Sequence, residues 1–263
     1  MSTAETLEIA ETDHIVEITL ARPALLNRID DQSRAELISA LEELGDSTTA
    51  RAIVLGAQGK AFSAGGDFAM MKRRHGDRPA TERGGRASRR LLEAFLDLPM
   101  PVIAAVQGDA VGLGSTIVLS CDAVVAARGV RIMDSHVRVG LVAGDGGAVL
   151  WPLAMGIIRA KRHLLTGDPV FAEEAYEMGM VSDLVEDPAD VLPAARALAA
   201  RIAALPPLGV RGTKRALNHV LRQRFDEVID LSLAYEGESM HSDDLLEAIA
   251  AFEEKRPGTY TGG

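Results

Sequence analysis

The residues best suited to chemistry are His136 and Asp145, nine positions apart in IMDSHVRVGLVAGDGG (132–147). An imidazole with an ordinary pKa of about 6.5 exchanges protons at neutral pH, and a carboxylate beside it fixes its tautomer and orientation. A turn through VGLVAG would return Asp145 to His136. Two structural readings stand beside this one: Asp145, just before GGAVLWPL, is placed to cap a helix, and His136 stands where a strand gives way to a loop. Glu236, in LAYEGES on a C-terminal helix, is a further carboxylate that would either enter the same pocket or lie on a solvated face.

Two glycine-rich loops supply the complementary chemistry. AFSAGGDF (61–68) follows the apolar run RAIVLGA, and GDAVGLGST (108–116) follows PVIAAV. Glycine after a buried strand lets backbone N–H groups face outward, and a helix N-terminus adds the positive end of its dipole. Two such loops converging on one oxygen would stabilise a developing oxyanion. Neither loop has the full GxGxxG spacing of a dinucleotide site.

The elements that must position these groups follow from pattern. LEIA and HIVEITLAR, with ETD between them, predict a hairpin. Asp30 or Asp31 caps a helix carrying Leu37, Leu41 and Leu44 on one face. RAIVLGA and PVIAAVQG read as buried strands, separated by a basic stretch and a helix with Leu91, Phe95 and Leu98 as its stripe. AVVAAR is the next strand, and from about residue 147 the chain turns mainly helical. PPLG at 206–209 is the sharpest break in composition, which gives an α/β body over 1–204 and a helical region over 205–263.

Composition excludes several functions. With 28 basic and 38 acidic residues the net charge is −10, which disfavours nucleic acid and anionic membranes as partners. The stretch 72–90 is locally basic and reads as a solvated helix face or an anion site. A single cysteine, Cys121, forms no internal disulfide and suits a reducing, cytoplasmic setting. The six histidines show no metal-ligand spacing, so no metal site is expected. No apolar run has the length of a membrane span.

LARPALLNRI, AFSAGGDF, PVIAAVQGDAVGLGSTIVLSCD, LLTGDPVFAEEAYEMGMVSDLVE and AFEEKR, in this order, resemble the successive landmarks of the crotonase (enoyl-CoA hydratase/isomerase) superfamily. The resemblance implies an α/β spiral of ββα units with a helical C-terminal trimerisation region, assembled as a homotrimer or as a hexamer of paired trimers. It implies an acyl-CoA substrate, with no cofactor beyond the CoA that the substrate carries. The backbone N–H groups of Gly66 and Leu113 would hold the thioester oxygen. Leu26, Ala64, Asp67 and Phe68 would lie at the adenine end of CoA, joined by Phe252 and Lys255 from the C-terminal helix.

The two glutamates of the superfamily's hydratases are missing, because Thr116 and His136 fall at their positions. Threonine is a poor acid or base at neutral pH. A histidine and an aspartate at the positions of His136 and Asp145 resemble the superfamily's β-diketone hydrolases of the 6-oxocamphor hydrolase type. Three functions follow as expectations: a hydratase/isomerase-type enzyme using a His136/Asp145 dyad; a C–C bond hydrolase of β-dicarbonyl compounds, independent of CoA; and an acyl-CoA-binding protein without catalysis.

Overall fold

The computed structural model describes residues 4–263. A hairpin opens it, β1 (Leu7–Thr12) and β2 (Ile15–Leu20). The strands extend closer together than the ETD turn implied, to a Thr12↔Ile15 pair. Asp13 and His14, both at positive φ, make the two-residue turn. Helix α1 (Asp31–Gly45) begins with a reciprocal capping box between Asp30 and Ser33. Then come β3 (Ala52–Ala57), α2 (Phe68–Arg74), α3 (Arg78–Asp97), β4 (Val102–Val106), β5 (Ala110–Val111), α4 (Leu113–Leu119), β6 (Ala123–Ala127) and β7 (Arg131–Met133). The remainder is α5 (Gly147–Met155), α6 (Ile157–Thr166), β8 (Val170–Phe171), α7 (Ala172–Met178), β9 (Asp183–Val185), α8 (Pro188–Ala203), α9 (Pro207–Ser239) and α10 (Asp243–Glu254).

The large sheet runs β1-β2-β3-β4-β6-β9, parallel from β2 onward, and a small sheet runs β5-β7-β8. Strands β4 and β6 of the large sheet are each followed by a short strand of the small one, which is the ββα spiral expected of the superfamily. Every residue of β4 is buried, as its unbroken apolar run predicts, and Trp151 lies fully inside the core. Pro206 leads into α9, which turns by 109° from α8 and packs back on α3 and α5. No single helix among the described residues is long and apolar enough to cross a membrane.

Candidate functional site

The two glycine loops meet. Ser63 N donates to Asp109 O at 3.1 Å, and Val111 N donates to Ser63 O at 2.9 Å. A Cβ on Gly65, whose φ is +84°, would lie 2.6 Å from the Val111 carbonyl oxygen, so only glycine permits this approach. Leu113, on the second loop, is the first residue of α4. Among the described residues, neither the Gly66 nor the Leu113 amide donates to a protein acceptor, and both residues line one cavity of about 40 Å³. Two unengaged N–H groups on one cavity, that of Leu113 at the start of α4, can donate to an oxyanion placed there.

His136 and Asp145 line that cavity too, both buried. Asp145 does not cap α5: its N-cap is Gly146, with no side-chain bond. The carboxylate instead faces the ring, with Oδ2 3.3 Å from His136 Nε2, while Oδ1 accepts from Thr116 Oγ1 at 3.3 Å. His136 opens a 3-10 turn and is 6% exposed, so the reading as an exposed loop residue does not hold.

Sequence reasoning missed the carboxylate on the other side of the ring. Asp134 Oδ1 lies 2.7 Å from His136 Nδ1 and also accepts from the His136 backbone N at 3.2 Å. Aspartates commonly accept from the backbone two residues on, so the D-x-H spacing was a signal for this contact. The imidazole is therefore bracketed, Asp134–His136–Asp145. Burial alone would lower its pKa, but the charges of Asp134 and Asp145 outweigh burial and hold it well above 6.5. The positive ring in turn draws the Asp145 pKa below its ordinary value, against the effect of burial.

Glu236 reaches the cavity from α9. Burial, then the negative charge of Asp145, pushes its carboxyl up to about 8. The spacing of Phe225, Ile229, Ser232 and Glu236 marks the inward face of α9, and the first three are buried. His136, Asp145 and Glu236 each offer a ligand atom within 4.8 Å of one another. A ring whose two nitrogens each face a carboxylate is suited to sharing protons with them.

Three glycines make room for this cluster. A Cβ on Gly144 would meet Glu236 Cβ at 2.5 Å, one on Gly146 the Thr116 methyl at 2.7 Å, and one on Gly147 the Asp134 Oδ2 at 2.2 Å. AGDGG thus encodes clearance around the carboxylates as well as a helix start.

The remaining expected contacts lie beyond the cavity. Ala64 N donates to Leu26 O at 2.9 Å. Asp67 caps α2 through Met70 N and pairs with Arg28 Nε at 2.9 Å. Phe68 meets Phe252 edge to face at 5.4 Å between centroids. Lys255, exposed, ends α10 in the left-handed region. In the basic stretch Lys72, Arg74, Arg89 and Arg90 pair with Glu253, Asp31, Asp230 and Glu42, while Arg73, Arg78 and Arg83 form no ion pair among the described residues.

Residues 10–263 match the profile of the family described as enoyl-CoA hydratase/isomerase. The chain is 33% identical over 253 residues to the 1,2-epoxyphenylacetyl-CoA isomerase of Escherichia coli (strain K12), covering 94% of this chain and 95% of that protein. Among solved structures, an enoyl-CoA hydratase/isomerase from Mycobacterium paratuberculosis superposes with a TM-score of 0.91 at 35% identity, covering 95% of this chain and 99% of the other. A beta-diketone hydrolase from the cyanobacterium Anabaena superposes with a TM-score of 0.84 at 26% identity, covering 91% and 96%. With its fold, its paired glycine loops and its profile in agreement over nearly its whole length, the chain belongs to the enoyl-CoA hydratase/isomerase family of the crotonase superfamily.

Proposed function

We propose that the protein is an acyl-CoA enzyme that moves protons next to a thioester carbonyl, with the Gly66 and Leu113 amides holding the oxygen and the Asp134–His136–Asp145 row in place of the two hydratase glutamates. The observation that carries this reading is the bracketed His136 on the same cavity as two unengaged amides. Hydrogen bonds from both amides to the thioester oxygen make the α-proton more acidic, because negative charge gathers on that oxygen as the enolate forms. Asp145, which His136 keeps ionised in a dry site, accepts the proton and passes it to Glu236 once Glu236 has given up its own. Glu236, protonated at neutral pH, donates to a neighbouring carbon or oxygen of the acyl group.

Leu26, Ala64, Asp67 and Phe68, with Phe252 and Lys255, form the CoA end of the site in this reading, and Arg73, Arg78 and Arg83 supply cations for its phosphates. The acyl group enters by displacing Met70, Met71 and Met240, which line the closed cavity and have flexible unbranched side chains. Four apolar residues exposed along α9, Leu217, Val220, Leu231 and Tyr235, support assembly as a homotrimer or as a hexamer of trimers.

A second reading, hydrolysis of a carbon–carbon bond in a β-diketone without CoA, is favoured by the histidine–aspartate couple and by the likeness to the Anabaena hydrolase. The same amides would hold an enolate leaving group, while water deprotonated at Asp145 attacks the other carbonyl. The C–C bond breaks to give a carboxylate, and the enolate carbon takes up a proton.

Turnover of crotonyl-CoA and of a cyclic β-diketone, each assayed with the same pure enzyme, separates the two readings. The first predicts reaction of the thioester alone. Reaction of the diketone alone, without CoA, would replace it with the second, and inertness to both with calorimetric CoA binding would leave a binding protein.

A further inference from the structure

Two arginines meet on one wall of the site cavity, and the proposed proton transfers use neither. Arg34, on α1, is 4% exposed, and its one hydrogen bond runs from Nη1 to the Gly84 carbonyl at 3.1 Å. Its Nε is buried without an acceptor, and it forms no ion pair among the described residues. Arg74, at the end of α2, is 9% exposed and lies so close against Gly84 that a Cβ there would stand 2.3 Å from its Nη1. Arg74 pairs with Asp31. Two guanidinium groups and one contacting carboxylate leave Arg34 with no carboxylate against it.

Nothing opposite relieves it by contact. Asp145 is held by His136 and Thr116, and Glu236 is neutral at pH 7. Asp145 acts on Arg34 only through space, while burial and the neighbouring charge of Arg74 weaken its hold on its own proton. A buried cation without a hydrogen-bonded counter-ion is costly. Arg34 lines the cavity that would take an acyl group, and an arginine with free N–H groups is the side chain best shaped to grip a planar carboxylate.

We infer that Arg34, with Arg74 beside it, binds a carboxylate at the far end of the substrate's acyl group, so that the preferred substrate is a dicarboxylic acyl-CoA rather than one ending in a methyl group. This rests on the acyl-CoA reading above. An internal counter-ion for Asp145 would instead sit in contact with it and leave no buried N–H unused.

Binding of two unreactive thioesters of equal chain length, glutaryl-CoA and valeryl-CoA, tests the inference by calorimetry. Glutaryl-CoA should bind about tenfold more tightly or better, since a charge-assisted hydrogen bond commonly contributes at least that factor. Arg34→Gln should bring the two to parity, and Arg34→Lys should keep part of the preference. Equal affinity in the wild-type enzyme overturns the inference without any variant, and so does a preference that survives Arg34→Gln. Thermal unfolding with free glutarate separates this inference from the acyl-CoA reading. If neither thioester binds while glutarate still raises the midpoint of the wild type but not of Arg34→Gln, the carboxylate site stands and the acyl-CoA reading fails.

Discussion

Asp134 and Asp145 grip opposite nitrogens of one ring, and removing either charge should show how the pair is shared. Both raise the His136 pKa, Asp134 more strongly. NMR titration of the ring should find it falling toward 6.5 in either Asn variant, further in Asp134→Asn. Turnover should drop about a hundredfold or more in each, the usual contribution of a positioned acid or base, and the double variant should be little worse than the singles. Unchanged titration in Asp134→Asn would mean that the short contact does not govern the ring. Glu236 gives a second prediction, with a definite sign. Its folded-state pKa of about 8 exceeds the ordinary 4.5, so it favours folding fully below 4.5, and that contribution is lost as pH rises through about 8. Thermal midpoints of the wild type should fall across this range more steeply than those of Glu236→Gln, and an activity limb near pH 8 should vanish in the variant. Parallel curves would rule out a protonated Glu236. His136 and Asp145 were legible because unusual residue types stood beside glycine, whereas Glu236 on its helix read equally as part of a solvated face. Arg34 was missed although it shares a face with Leu37 and Leu41, where a charge has no bland explanation.

The elements decide whether the donors and the cluster exist at all. Leu113 is the first residue of α4, a position where proline is tolerated because its N–H would be unpaired within the helix in any case. Leu113→Pro should therefore fold, as circular dichroism would show, yet lose about a hundredfold or more in rate with the missing donor. Leu113→Ala keeps the amide and should change little, and full activity in the proline variant would reassign the donor. Gly147→Ala sets helix propensity against clearance. Alanine within a helix is ordinarily better than glycine by about 1 kcal/mol, but here its methyl would collide with Asp134 Oδ2. We expect a net loss of about 1 to 3 kcal/mol, typical of overpacking, together with displacement of His136; calorimetric stabilisation would contradict it. The strands and glycine loops could be read from short apolar runs ending in glycine. The clearance role of AGDGG could not, because the groups it accommodates come from α4, α9 and the segment after β7, which only the folded chain brings together.

For the whole molecule, the exposed apolar residues of α9 lead to one expectation, a trimer-based assembly in solution. Sedimentation equilibrium at micromolar concentration should return three or six times the mass of 27.9 kDa, and a stable monomer would contradict it. Leu221 and Val228, on the same helix, pack within the chain and add nothing to that exposed surface. The spiral itself was legible mainly through the order of its motifs, since the pairing of β3, β4 and β6 joins segments far apart in sequence. That same order has a consequence for synthesis on the ribosome. Strands β2, β3, β4 and β6 all precede residue 128 and can pair early, and both amide donors lie among them. The wall formed by Leu233, Glu236, Gly237 and Met240 emerges about a hundred residues later, roughly 5 to 20 s at ordinary elongation rates. For that interval the nascent chain carries a sheet and a pair of open amides with an apolar flank uncovered. Chaperone contact should therefore be strongest after β6 and end once α9 has docked.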